Sequence, residues 1–156
     1  MDEPVLERDD DPQAPTTEVE GQIRELVDGQ SYGVLCTQGD GQPYGSVVAY
    51  AFSQDLACFW FATPKTTRKY RLIQGCPKVA LVICRQEADI MSGAAVTLTG
   101  AAAVLDSEHE QGAAKLLARH PHLESFCRAP TTAVIRLDVV RGFYVERFQE
   151  VTEWSP

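Results

Sequence analysis

Between residues 63 and 71 the chain reads Thr63-Pro64-Lys65-Thr66-Thr67-Arg68-Lys69-Tyr70-Arg71, with four cationic side chains within seven residues and two adjacent hydroxyls. An anion is the natural ligand for such a set. The segment lies where the apolar run of residues 56–62 (LACFWFA) gives way to a short helical pattern. A helix start carries unpaired N–H groups and the positive end of the macrodipole. The hydroxyls of Thr66 and Thr67, the charges of Arg68 and Lys69 and those N–H groups would together hold a dianionic phosphate. The same residues also suit a plain helix capped by threonine, with its cationic face in solvent. Spacing alone leaves both readings open.

Other chemistry is weaker. His109, His120 and His122 are the only histidines, and a metal site would need a third ligand with fixed geometry beside His120-x-His122. They are expected at the surface, and no metal site is assigned. Trp60 and Trp154 read as core or interface residues, although Trp154 lies where it could reach a neighbouring subunit. No G-x-x-x-x-G-K-S/T loop, no G-x-G-x-x-G after a strand and no G-x-S-x-G elbow occurs. Gly39, Gly41 and Gly45 belong to a hairpin turn and the strand after it.

The elements that must position the cationic segment are mostly strands. A helix is expected from Thr17, with Glu20 at capping-box spacing and Val19, Ile23, Leu26 and Val27 at helical period, ending near Asp28. Residues 32–37 and 43–52 read as strands joined by a turn at Gln38-Gly39-Asp40-Gly41. Residues 56–62 carry aromatics on both faces, as in a barrel wall covered by a helix or another subunit. After a short helix, stopped by Gly75-Cys76-Pro77, strands follow at 78–84 and 94–106, the latter with a bend or bulge at Gly100. Ser107 with Glu110 marks a second capping box and a helix to Arg119, and residues 121–128 add a helical turn or two. Residues 132–140 and 142–148 read as two strands meeting at Arg141-Gly142. Hairpins rather than β-α-β alternation predict a mainly β (α+β) fold: an antiparallel split β-barrel of about six or seven strands with flanking helices.

Composition narrows the function classes. The formal charge of −8 is concentrated in the first twenty residues, which hold eight acids against Arg8 alone and leave the remainder close to neutral. Residues 1–16 read as a disordered acidic tail ahead of one domain spanning 17–156. Acidic character and the lack of a basic patch argue against nucleic acid. No run reaches the roughly eighteen apolar residues that would span a bilayer, and no signal peptide is seen. Five scattered cysteines without C-x-x-C spacing suit a reduced, cytoplasmic protein.

The order GQPYGSVVAY, an aromatic strand, T-P-x-T-T-R-K-Y, a short helix and C-P-K-V-A-L-V-I resembles the FMN-binding split barrels of the pyridoxamine 5′-phosphate oxidase superfamily. Thr63, Thr67, Arg68 and Lys69 match the family's phosphate-binding pattern. Cys76-Pro77-Lys78-Val79-Ala80-Leu81 matches the following strand, with Cys where Asn is usual. The resemblance runs from about Gly29 to Phe148 and is most specific from Tyr44 to Ile83. It implies FMN as cofactor, its phosphate held by Arg68 and Lys69 with help from Thr63 at the strand end, beside the hydroxyls of Thr66 and Thr67 already noted. It further implies that the backbone of Ser46, Val47, Val48, Ala49 and Tyr50 runs along the flavin, in a cleft between the subunits of a homodimer. A flavin-dependent oxidoreductase acting on a small-molecule redox substrate is the expected function.

Two departures qualify that expectation. The second strand carries no base, and residues 145–154 (VERFQEVTEW) lack the Arg and His that clasp the substrate phosphate in pyridoxamine-phosphate oxidation. The flavin-binding glutamine of the family's fifth strand has no counterpart near Ala95. Pyridoxamine-phosphate oxidation itself is therefore not expected, and no catalytic side chain is assigned. A non-catalytic module of the same fold, holding flavin, haem or a deazaflavin, is the alternative reading. A third is an empty barrel acting only through its dimer surface.

Overall fold

The computed structural model describes residues 16–156. The expected tail thus lies outside the described residues except for Thr16, which already belongs to the first helix. In chain order the elements are α1 (Thr16–Gly29), β1 (Tyr32–Gly39), β2 (Gln42–Ala49), β3 (Ala51–Phe52), β4 (Cys58–Pro64), α2 (Arg68–Gly75), β5 (Lys78–Arg85), β6 (Ala94–Val104), α3 (His109–Arg119), α4 (Glu124–Arg128), β7 (Thr132–Glu146) and β8 (Glu150–Trp154). All strand pairs are antiparallel.

The strands lie in the order β2-β1-β5-β6-β7-β4-β3, with β8 added alongside β7. β2 and β3 occupy opposite edges of this order, yet only Tyr50 separates them in the chain. The sheet therefore has to curl until its two edges meet at that residue, as the sequence leads one to expect of a split barrel. Tyr50 is fully buried, and its single O–H is shared between the Val27 carbonyl (2.5 Å) in the last turn of α1 and the Gln30 carbonyl (3.0 Å) just past it. Arg119, from the end of α3, donates to the same two carbonyls and to Asp28, with its guanidinium 5.3 Å from the Tyr50 ring centre.

Alternating residues of the curled sheet fill one core: Leu35, Val48, Phe59, Phe61, Leu81, Ile83, Val96, Leu98, Ile135 and Leu137, closed by Val19, Ile23, Leu26 and Val27 of α1. A smaller cluster of Ala51, Ala113, Leu116, Cys127 and Val134 lies beneath α3 and α4. The expected two-sided burial of residues 56–62 follows from this. Phe59 and Phe61 enter the barrel core, whereas Trp60 packs beneath α3, close enough to Gly112 that a side chain there would collide with its neighbours.

Three expectations are corrected. The two C-terminal strands are one bent strand, β7: its register against β6 shifts at Thr99/Gly100, leaving Val140 unpaired and exposed. The extra residue reverses which side chains face inward, from Ile135, Leu137 and Val139 before it to Gly142 and Tyr144 after it. Gly100 permits the close approach, since a Cβ there would stand 1.9 Å from the Asp138 carbonyl oxygen. Second, the strand expected to reach Phe148 ends at Glu146, where a turn with positive φ at Arg147 (49°) and Phe148 (70°) leads into β8. Third, Ser107 and Glu110 form no capping box. Glu108 occupies the N-cap and pairs with Arg136, while Glu110 pairs with Arg128.

Candidate functional site

The cationic segment sits where β4 hands over to α2. Thr63, the last inward residue of β4, is buried, and its hydroxyl lies 2.7 Å from that of Thr67. Thr67 is the N-cap of α2: its backbone is extended, its Oγ1 accepts from the Tyr70 N–H (3.3 Å), and its hydroxyl also lies 3.0 Å from the Pro64 carbonyl. The capping reading of the threonines therefore holds for Thr67, and Thr63 supports it from below. The i→i−4 ladder leaves the N–H groups of Arg68 and Lys69 open at this helix start. Thr66 and Lys65 are exposed beside it.

The two cations diverge. Arg68 places its guanidinium over the ring of Tyr44, 5.4 Å from the centroid. Lys69 turns towards β2, where its ammonium donates to the Val47 carbonyl at 3.3 Å. Burial pushes the Lys69 ammonium below the usual lysine range. Among the described residues no carboxylate comes within 4.0 Å of the charged nitrogens of Lys65, Arg68, Lys69 or Arg71. A partly desolvated charge without a counter-charge favours binding an anion.

The strand beside it divides by parity. Val47 is 62% exposed, Ser46 and Ala49 are half-buried, and the side chains of Val48 and Tyr50 point into the core. Only the backbone and the Val47 face of this strand are open to a ligand alongside it. The Ser46 hydroxyl is shielded from solvent and has no hydrogen-bond partner among the described residues. Such an orphan marks polar capacity without a protein partner at this point of β2.

Sequence reasoning missed Tyr44 as a partner of Arg68. An aromatic two residues before Ser46 gives no signal of its own until the hairpin folds back on α2. Ala95, where the family's glutamine is absent, is half-buried on β6 and offers no side-chain hydrogen bond. His120 is corrected from a surface to a buried residue, its Nε2 2.8 Å from the Tyr50 carbonyl oxygen, while His122 is exposed. Among the described residues no group of three His, Cys, Asp or Glu could hold a metal ion. Trp154 is buried against Gly142, a core position. All five cysteines are free thiols.

The profile of the pyridoxamine 5′-phosphate oxidase family matches residues 19–146, which takes in the barrel up to the end of β7 and the whole cationic segment. The chain belongs to this family. Among solved structures, this pyridoxamine 5′-phosphate oxidase-family chain is similar to a haem-binding protein from Mycobacterium smegmatis (19% identity, TM-score 0.79, 93% of this chain and 60% of that one). It is also similar to a general stress protein 26-related protein of the pyridoxinephosphate oxidase family from Clostridium acetobutylicum (15%, TM-score 0.72, 91% and 96%). A third similar structure is an FAD-binding protein from Mesorhizobium loti (16%, TM-score 0.65, 79% and 89%). The chain thus spans about 60% of the length of the Mycobacterium protein. No curated protein matches it. Among the described residues no helix is long and apolar enough to cross a membrane.

Proposed function

We propose that this family member is a flavoprotein that grips a flavin by its 5′-phosphate at the start of α2, FMN being the simplest such cofactor. The observation that carries the reading is Lys69: a partly desolvated ammonium on the Val47 carbonyl, without a carboxylate among the described residues, beside the open N–H groups of Arg68 and Lys69. Lys69, Arg68 and the helix start would hold the phosphate, with Thr66 within the same turn and Thr63 and Thr67 keeping the turn in shape. The strand from Ser46 to Tyr50 would run along the flavin by its backbone. The bound flavin would supply hydride or electron transfer, and the protein's part is to orient it and exclude water. An oxidoreductase acting on a small-molecule substrate, in the cytoplasm, is the corresponding role.

The reading includes a homodimer. Paired residues share a sheet face, and the ladder Val47-Val34-Val82-Thr97-Phe143 runs across five strands of the outer surface. Val47 and Val34 are exposed at one end of it, beside the strand proposed for the flavin. A second copy laid on this face would cover both the apolar ladder and the flavin cleft.

A haem module is the second reading, favoured by the haem-binding protein of similar fold. It draws less support from this chain, because the buried His120 is already engaged by the Tyr50 carbonyl. An absorption spectrum of the protein incubated with FMN and then desalted separates the readings. Retained flavin bands support the proposal. A sharp haem band in the purified protein, with no FMN uptake, would replace it.

A further inference from the structure

Arg68 and Arg71 share a face of α2, three residues or about 4.5 Å of rise apart, whereas Lys69 lies on another face against β2. That first face looks across an open groove of about 610 Å³ at the β1–β2 hairpin. The volume falls within the range of roughly 300–1,000 Å³ usual for small-molecule sites. Leu72 forms the floor against Gly39, where a Cβ would come within 2.5 Å of a leucine methyl, so the leucine packs directly on the hairpin backbone. Tyr44 supplies an aromatic wall already stacked by Arg68. Asp40, held at the hairpin turn with positive φ (51°), is the one carboxylate among the described residues that line the groove.

We propose that this groove receives the second phosphate and the nucleoside of a flavin dinucleotide, so that the site takes FAD in preference to FMN. The inference rests on the flavin reading above and adds to it. With the first phosphate at the start of α2, Arg71 is the next cation along the same face as Arg68, placed for a neighbouring phosphate. The exposed ring of Tyr44, beside Arg68, offers a planar surface for a purine. Asp40 can accept from the hydroxyls of a ribose. FMN alone would leave the groove and Arg71 unused.

The test is titration of the full chain with FMN and with FAD, each followed by flavin fluorescence, for the native protein, Arg71→Ala and Arg71→Lys. Arg71 is exposed, so its removal should leave the thermal midpoint unchanged, which a melt verifies. The native protein is expected to bind FAD about tenfold or more tightly than FMN. Arg71→Ala should bring FAD down to the FMN affinity without moving FMN, and Arg71→Lys should keep part of the difference. Equal binding of the two flavins by the native protein, or FAD affinity indifferent to Arg71→Ala, would overturn the dinucleotide inference and leave the flavin reading standing. Binding of neither flavin would remove both.

Discussion

Lys69→Met separates a ligand-binding role from a structural one, because the two predict opposite outcomes. In the folded protein the ammonium is partly desolvated and is offset by a single carbonyl contact at 3.3 Å. Methionine keeps most of the stem's packing and removes the charge. Its effect on stability without ligand should therefore be small, within about 0.5–1 kcal/mol, and of either sign. Against a bound phosphate the same lysine would make a charge-assisted hydrogen bond worth about 1.5–3 kcal/mol, so its loss should weaken FMN roughly 10- to 150-fold. Urea unfolding without flavin and fluorescence titration with FMN measure the two quantities on one sample. A loss of FMN affinity under about threefold, or a stability loss above about 2 kcal/mol, would refute the argument by making Lys69 a packing residue. The pH dependence carries the same sign. The folded pKa lies below that of the unfolded lysine, so FMN affinity should fall as pH rises through the lowered value, earlier than for an ordinary lysine, and Lys69→Met should lose that limb.

Other outcomes follow from the barrel. Gly100→Ala drives a methyl to 1.9 Å from the Asp138 carbonyl oxygen, and only backbone can move away, so urea unfolding should show a loss of about 3 kcal/mol or more; a loss below 1 kcal/mol would mean the bulge can open cheaply. Tyr50 is held protonated, burial pushing its pKa up to about 12, ahead of the smaller opposing influence of Arg119. Its folded pKa exceeds the unfolded value near 10, so stability should be intact below that pH and fall between there and about 12. Tyr50→Phe should lower stability at neutral pH by about 1–2 kcal/mol through loss of the one O–H shared between two carbonyls, and should flatten the alkaline fall seen in pH-dependent melts.

The barrel was legible because its signals are local. The apolar run of residues 79–84, the Asp40-Gly41 turn and Gly100 announce a strand, a hairpin and a bulge in turn, without reference to distant residues. What was missed depends on contacts far apart in sequence. Val140 reads as an ordinary strand residue until β6 pairs beside it, and β8 gave no signal because Val151 and Trp154 are the only apolar residues in its five. His120 reads as a polar residue before a proline, and only the barrel closure at Tyr50 gives it a buried carbonyl to meet. The expected capping box at Ser107 lost to two ion pairs, Glu108 with Arg136 and Glu110 with Arg128, neither visible from local spacing. In the site, the cationic cluster was plain in the sequence. The division of labour within it was not: Thr67 caps, Lys69 crosses to β2 and Arg68 stacks on Tyr44.

The flavin reading stands on phosphate recognition at the start of α2. Riboflavin has the same ring without that phosphate, so comparing FMN with riboflavin in the native protein and in the Arg68→Ala, Lys69→Ala double variant tests it most directly. The native protein is expected to prefer FMN by about 100-fold or more, and the double variant to remain folded but lose the preference. Equal affinity for the two flavins in the native protein, or a double variant that still retains FMN through desalting, would contradict it.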